Sequence, residues 1–254
     1  MIQQINNLQE TFNGFLLIDK PTGITSAYTL DKLKKVLGFK TKVGHAGTLD
    51  MFATGLLIVG IGRPATRLLS QAMQMDKTYV ATAKLGQITN TLDIMGTVLA
   101  ENDVSNITQK DIEDAIASLG TEYEQIPPIY SALKVGGKNL SYHAQKKELS
   151  EEELASIAEL KKRLVHIYSC KLITYKPPFF TIEAHVSHGT YIRSFMNDIA
   201  QKLNGVGATT HALRRTTIGP FSVEQALPLA EYSSFDVIRQ KLISIAEFSN
   251  RVLI

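Results

Sequence analysis

The run Gly55-Leu56-Leu57-Ile58-Val59-Gly60-Ile61-Gly62 constrains this chain more than any other stretch. It is apolar, bounded by glycines, and of strand rather than helix length, so it is predicted to be a buried strand. The residues leading into it, Gly44-His45-Ala46-Gly47-Thr48-Leu49-Asp50, have the opposite character. Glycines around a histidine, followed by an acid, are too flexible and too polar for the interior of a strand or helix, and predict a loop that presents side chains. An acid on a loop beside a buried strand is well placed to be a partly desolvated nucleophile or base. Taken alone, Asp50 also reads as a turn cap, the commoner use of a loop aspartate.

With 254 residues and 44% apolar content, the chain can bury a sizeable core, as one large domain or two modest ones. Met1 to Asn7 shows no basic region followed by an apolar one, and no later run approaches the length of a membrane span. A cytoplasmic protein with no membrane partner is expected. Cys170 is alone, and neither C-x-x-C nor H-E-x-x-H spacing occurs. This excludes an internal disulfide, and with six scattered histidines no metal is expected. A formal charge of +3 with a pI near 8.8 permits RNA without demanding it. Lys32, Lys34, Lys35, Lys40 and Lys42 cluster before the central loop and Arg214-Arg215 lies near the far end; the default reading of such clusters is a solvated face.

Phe15 to Ile18 reads as a buried strand and Asp19-Lys20-Pro21-Thr22-Gly23 as the turn that ends it. Leu30, Leu33, Val36 and Leu37 have helical period, with Ser26 as N-cap and Gly38 as stop. Arg63-Pro64 starts another helix. Lys77 to Gly86 alternates as a strand with Tyr79, Ala81, Ala83 and Leu85 on the less polar face, where Tyr79 alone would be an ordinary half-buried tyrosine. Thr108 to Leu119 is a helix with a Thr108/Asp111 capping box, and Ile126 to Lys138 a proline-stiffened hairpin. Ser150 to Arg163 is a helix with a Ser150/Glu153 capping box, whose last turn holds Lys161, Lys162 and Arg163, complementing its dipole. Val165 to Tyr175 and Phe179 to Ser187 are strands. A helix follows through Phe195, Ile199 and Leu203, and Arg193 on its first turn would ordinarily be exposed.

Lys42 to Asp50, with Ala53-Thr54-Gly55 behind it, resembles the G-H-x-G-x-L-D catalytic motif of the TruB family, the tRNA pseudouridine-55 synthases. The likeness extends to L-L-x-D-K-P-x-G-x-T-S at Leu16, Lys-x-Tyr at Lys77, G-x-x-T-x-T-x-D ending at Asp93, P-P-x-Y-S-A-x-K at Pro127, S-x-G-T-Y-I-R ending at Arg193, and a strand ending L-R-R-T at Thr216. These motifs stand in order between Gly14 and Ala226. Two departures occur. Met51 replaces the family's usual proline, which would leave the loop less rigid. Asn139 to His143 lacks the usual arginine and acid.

The resemblance implies an α+β fold, with a central mixed, mainly antiparallel sheet, flanking helices and an active-site cleft. It implies a catalytic domain over residues 1–226, with a helical insertion near 150–163, and a short helical tail over 227–254 in place of a PUA domain. In that tail Phe235, Ile238, Leu242 and Ile245 share one face of a helix expected to dock on the catalytic domain. The implied reaction is isomerisation of uridine 55 in the T-loop of tRNA, by a monomer without guide RNA, metal or DNA. Asp50 would be the catalytic aspartate, Arg193 its ion-pair partner, and Tyr79 a ring against the flipped base. His45 would fill the gap the base leaves, and Tyr191 and Leu213 would line the pocket. The reaction breaks an N-glycosidic bond and rejoins the base through carbon without net redox change, so no cofactor is expected. A glycoside hydrolase would normally need paired carboxylates where the loop offers one. A guide-RNA-dependent subunit would carry a further RNA-binding domain, and a non-catalytic tRNA chaperone would have lost Asp50, Tyr79 or Arg193.

Overall fold

The computed structural model describes residues 12–38 and 40–252, so the reading of Met1 to Asn7 lies outside the described residues. The chain opens with β1 (Gly14–Lys20), α1 (Ser26–Leu37), β2 (Val43–His45), β3 (Thr54–Ile61), α2 (Gly62–Gln74) and β4 (Lys77–Leu85). There follow β5 (Gln87–Thr89), β6 (Val98–Glu101), α3 (Gln109–Ser118), β7 (Glu122–Gln125), the small hairpin β8 (Lys134–Val135) and β9 (Lys138–Asn139), α4 (Leu140–Lys146) and α5 (Glu151–Leu160). The long strands β10 (Arg163–Lys176) and β11 (Phe179–Val186), α6 (Ile192–Gln201) and β12 (Ala208–Ile218) come next, before β13 (Phe221–Ser222), β14 (Leu227–Pro228), α7 (Phe235–Lys241) and α8 (Ile245–Val252). The class is α+β, and two compact units divide it: residues up to Thr78 together with Arg214 onward, and Tyr79 to Leu213. Both crossings fall inside a strand, β4 and β12.

In the first unit β3 is the axis. β1 runs antiparallel along one edge, from Gly14 opposite Ile61 to Lys20 opposite Gly55. The other edge takes β2, antiparallel at Val43–His45, and β12, parallel at Arg214 and Arg215. Because side chains alternate across a strand, β3 feeds two cores. Leu56 and Ile58 join Phe15, Leu17 and Leu69 on one face, and Leu57, Val59 and Ile61 join Leu16, Ile18 and Leu33 on the other. At Gly55 the backbone has φ +104, and a Cβ there would stand 2.2 Å from the Arg215 carbonyl oxygen, so only glycine permits this parallel approach.

The second unit holds the order β4-β11-β10-β7. β4 buries Tyr79, Ala81, Ala83 and Leu85 as the alternation predicts. The capping boxes of α3, at Thr108 and Asp111, and of α5, at Ser150 and Glu153, both form. Two expectations are corrected. Helix α5 ends at Leu160, and Arg163 is instead the first residue of β10, opposite Gln125. Ser26 does not cap α1: Thr25 does, its hydroxyl accepting from the Tyr28 N–H, while Ser26 is buried and turned inward.

The tail differs from a single helix. Residues between α7 and α8 break to pair with β1, Phe15 and Ile243 exchanging two backbone hydrogen bonds of 2.9 Å. The break lets the tail serve both cores of the first unit. Ile238 enters the β1/α1 side, whereas Phe248 enters the other and stacks on Phe15 with centroids 3.7 Å apart. Truncating a fully buried aromatic removes its transfer free energy and leaves a cavity, so Phe248→Ala should lower the unfolding free energy by about 3–5 kcal/mol. Urea unfolding checks this; a loss below about 1 kcal/mol would mean that the tail is not part of the folded core.

Candidate active site

In the first unit the loop carrying Asp50 is tied down on both sides by the segment after β1. The Ser26 hydroxyl donates to the Leu49 carbonyl at 3.2 Å and accepts from the Leu49 N–H at 3.0 Å. Beyond Asp50, the Gly23 N–H donates to the Met51 carbonyl at 2.9 Å and the Thr22 hydroxyl to the Phe52 carbonyl at 2.9 Å. The Ala53 N–H closes a turn onto the Asp50 carbonyl. The first residues of the predicted loop are not loop: Gly44 and His45 lie in β2, because their backbone groups find partners in β3.

Three cationic or titratable groups surround this loop. Arg215 is buried, its Nε donating to the Leu56 carbonyl at 2.8 Å and a guanidinium nitrogen to the Gly47 carbonyl at 3.1 Å. Lys20 is fully buried and donates to the carbonyls of Pro21 and Ile24, both at 2.9 Å. Burial pushes its ammonium down to about 8, with the Asp50 charge opposing and the Arg215 charge adding to the fall. Asp50 is therefore within electrostatic reach of a buried cation. His45 is held below its usual range by burial and then by Arg215, which favours the neutral ring, and its Nδ1 is buried with no hydrogen-bond partner among the described residues. Arg214 turns the other way and grips Asp19 with two bonds, 3.0 and 2.7 Å. Arg215 is thus structural, whereas Arg214 is partly exposed and held by its ion pair.

Lys77, the first residue of the Lys-x-Tyr motif, closes the end of α2 through the carbonyls of Met73 and Met75. Burial brings its ammonium down to about 8 as well.

The second unit holds Tyr79, Tyr191, Arg193 and Leu213. Tyr79 and Leu213 are buried, and Tyr191 is half-buried at the N-cap of α6. Arg193 is not the exposed first-turn arginine that position alone suggests: it is 5% exposed. One guanidinium nitrogen donates to the Asp93 carboxylate at 3.1 Å and the Thr91 carbonyl at 2.7 Å, the other to the Tyr130 carbonyl at 2.8 Å. Asp93 in turn accepts from the Thr91 hydroxyl at 2.7 Å and the Met95 N–H at 2.9 Å. Asp93 ends the G-x-x-T-x-T-x-D motif, whose spacing carries no sign of a partner a hundred residues away. Gln125, whose amide grips the backbone of Tyr191, lies in none of the motifs.

The family described as TruB family pseudouridylate synthase (N terminal domain) matches residues 34–192, more than half of the chain. The chain belongs to the TruB family. Among relatives, it is similar to tRNA pseudouridine synthase B of Caldicellulosiruptor saccharolyticus, at 44% identity over 89% of this chain and 74% of that protein. It is also similar to tRNA pseudouridine synthase B of Endomicrobium trichonymphae, at 39% identity over 96% of this chain and 100% of that one. Among solved structures, a Cbf5-Nop10-Gar1 complex contains a chain 25% identical, with a TM-score of 0.66, over 97% of this chain and 60% of that one. The TruB motifs thus fall on two constellations: an anchored acid loop with Lys20 and Arg215, and a buried Arg193–Asp93 pair.

Two outcomes follow from these constellations. Asp93→Ala removes a buried counter-charge and hydrogen-bond acceptor of Arg193 and leaves a cavity, so it should destabilise the fold by about 1–3 kcal/mol in denaturant unfolding; no measurable change would mean the pair does not hold this part of the fold. Lys20 has a folded pKa of about 8 against an ordinary 10.5, so between about pH 8 and 10 the unfolded chain binds the extra proton and stability rises with pH. The stability of wild type relative to Lys20→Met should therefore grow across that window, and a difference flat in pH would refute the burial argument.

Proposed function

We propose that this chain isomerises uridine to pseudouridine in tRNA, at position 55 of the T-loop, with Asp50 as the acting carboxylate and no guide RNA. The observation that carries the reading is the double anchoring of the Asp50 loop by the Thr22–Ser26 segment, beside buried Lys20 and Arg215, in a chain of this family. The names of the relatives supply the substrate class, tRNA.

The reaction breaks the bond from C1′ to N1 of the uracil, turns the base, and forms a bond from C1′ to C5; N1 gains a proton and C5 loses one. A single ionised carboxylate near C1′ or C2′ serves either route, by attack at C1′ or by removing the C2′ proton. A fixed backbone on both sides of Asp50 holds that group without reorganisation during the reaction, and buried positive charge nearby favours its ionised form. In this reading Tyr79 stacks on the flipped base, His45 replaces it in the RNA stack, and Tyr191 and Leu213 line the pocket. A neutral His45 ring suits stacking better than a hydrated imidazolium. Arg193 orients Asp50 for the reaction. The protein works as a monomer in the cytoplasm on the T-arm.

Asp50→Asn keeps size and hydrogen bonding but not charge, so RNA affinity should stay within about threefold of wild type while pseudouridine formation falls by at least about 10³. Mapping pseudouridine in an unmodified tRNA transcript without guide RNA tests both substrate and mechanism. Turnover by Asp50→Asn, or product at another position, would refute the assignment. Arg193→Ala should cost far more in rate at saturating RNA than in affinity; the reverse pattern would make Arg193 a phosphate contact.

A further inference from the structure

Tyr191, the residue that opens the Tyr191-Ile192-Arg193 turn, caps α6 without any side-chain cap of its own. Its main chain is held instead by Gln125 at the end of β7. The Tyr191 N–H donates to the Gln125 Oε1 at 2.7 Å, and the Gln125 Nε2 donates to the Tyr191 carbonyl at 3.1 Å. Gln125 is fully buried, so neither group has water as an alternative. Its Nε2 also donates to the Tyr123 hydroxyl at 2.8 Å, and that hydroxyl donates to the Asp198 carboxylate at 2.8 Å, on α6. The Arg163 guanidinium, 4.8 Å from the ring centroid, covers the Tyr191 ring.

The direction of this chain is forced. An ionised carboxylate only accepts, so the Tyr123 proton must point at Asp198. The hydroxyl oxygen is then free to accept only, which requires the Nε2 side of the Gln125 amide to face it. Oε1 is left for the Tyr191 N–H. An amide turned over would set its NH₂ against that N–H, two donors facing each other. We propose that Gln125 is a positioning residue for this reaction, setting Tyr191 and through it the start of α6 that carries Arg193, with Tyr123 and Asp198 fixing the orientation of its amide.

The inference rests on the tRNA pseudouridine synthase reading. Burial raises the Asp198 carboxyl to about 6, the Tyr123 hydrogen bond and the Lys202 charge opposing that rise. The charged and titratable groups that act on it are Tyr123 from β7 and Lys202, the C-cap of α6; α3, which packs against α6, carries Asp111 and Asp114, and these line a cavity of about 810 Å³ with Lys202. A protonated Asp198 can donate to Tyr123, which releases the constraint on the amide. Asp198→Asn replaces the carboxylate with an amide that, like the protonated acid, can donate to Tyr123, and that does not titrate in this range.

The test compares wild type, Tyr123→Phe and Asp198→Asn on an unmodified tRNA transcript between pH 5 and 8. Tyr123→Phe should lower kcat about tenfold at pH 7.5 with KM within twofold. Asp198→Asn should show already at pH 7.5 the lowered kcat expected of wild type below about pH 6, with KM within twofold and no further fall on acidification. Exchange of the Tyr191 amide proton, followed by NMR, should accelerate at least tenfold in Tyr123→Phe relative to amides elsewhere in α6, a readout that does not need activity. An unchanged kcat and unchanged Tyr191 exchange in Tyr123→Phe, or an acid limb that persists in Asp198→Asn, would overturn the inference. A wild-type protein that makes no pseudouridine while the Tyr191 exchange still accelerates in Tyr123→Phe would refute the reaction and leave the clamp standing.

Discussion

Strand β3 must be covered on both faces, and much of the first unit answers that requirement. Leu56 and Ile58 need one apolar layer and Leu57, Val59 and Ile61 another. α1 supplies part of one layer through Leu33, and α2 part of the other through Ala65, Leu69 and Ala72. A strand buried this way has no solvent to satisfy its edges, so every backbone group needs a neighbour. β1, β2 and the parallel segment of β12 provide them. The acid loop is the connection between two of these paired strands, which is why it is short of freedom at both ends.

A second constraint is the burial of cations with carbonyl groups rather than carboxylates as main partners. Arg215 binds the carbonyls of Leu56 and Gly47, Lys20 those of Pro21 and Ile24, and Lys77 those of Met73 and Met75. A carbonyl dipole offsets only part of the desolvation of a full charge, and the lowered ammonium values of Lys20 and Lys77 express the remainder. Such incompletely neutralised charge is costly for stability alone. Beside Lys20 the Asp50 charge supplies part of the missing compensation. Arg193 differs in having a full counter-charge, Asp93, in addition to two carbonyls.

Local pattern made most elements legible. The alternation of β4, the period of α1, the two capping boxes and the β10/β11 pair all follow from interactions within a few residues, which sequence spacing records directly. What stayed hidden was decided at long range. Thr25 rather than Ser26 caps α1 because Ser26 is needed by Leu49, twenty-three positions away. Arg163 suited a helix terminus by charge, yet pairing with β7 pulls it into a strand and lays it over Tyr191. The tail lost its single-helix stripe because Ile243 has a better use, pairing with Phe15, than continuing a helix. The candidate site shows the same split: motif likeness singles out Asp50 and Arg193, whereas the contacts of Lys20, Asp93, Gln125 and Arg215 are ones no spacing encodes.

The replacement of proline by Met51 bears on how loop rigidity arises. A proline after Asp50 would bias the aspartate toward extended backbone by local sterics. Here restraint comes from outside the loop: Gly23 holds the Met51 carbonyl, Thr22 the Phe52 carbonyl and Ser26 both backbone groups of Leu49. Each net hydrogen bond contributes on the order of 1 kcal/mol, so four together outweigh the conformational bias of roughly 0.4–1 kcal/mol that one proline supplies. The Met51 side chain is exposed, so nothing in the packing resists the change. The segment following β1 therefore does for Asp50 what a proline does locally, and the expected loosening of the loop gives way to a tethered acid. This is also why the opening motif, which reads as a strand, turn and helix with no function attached, belongs with the Asp50 loop.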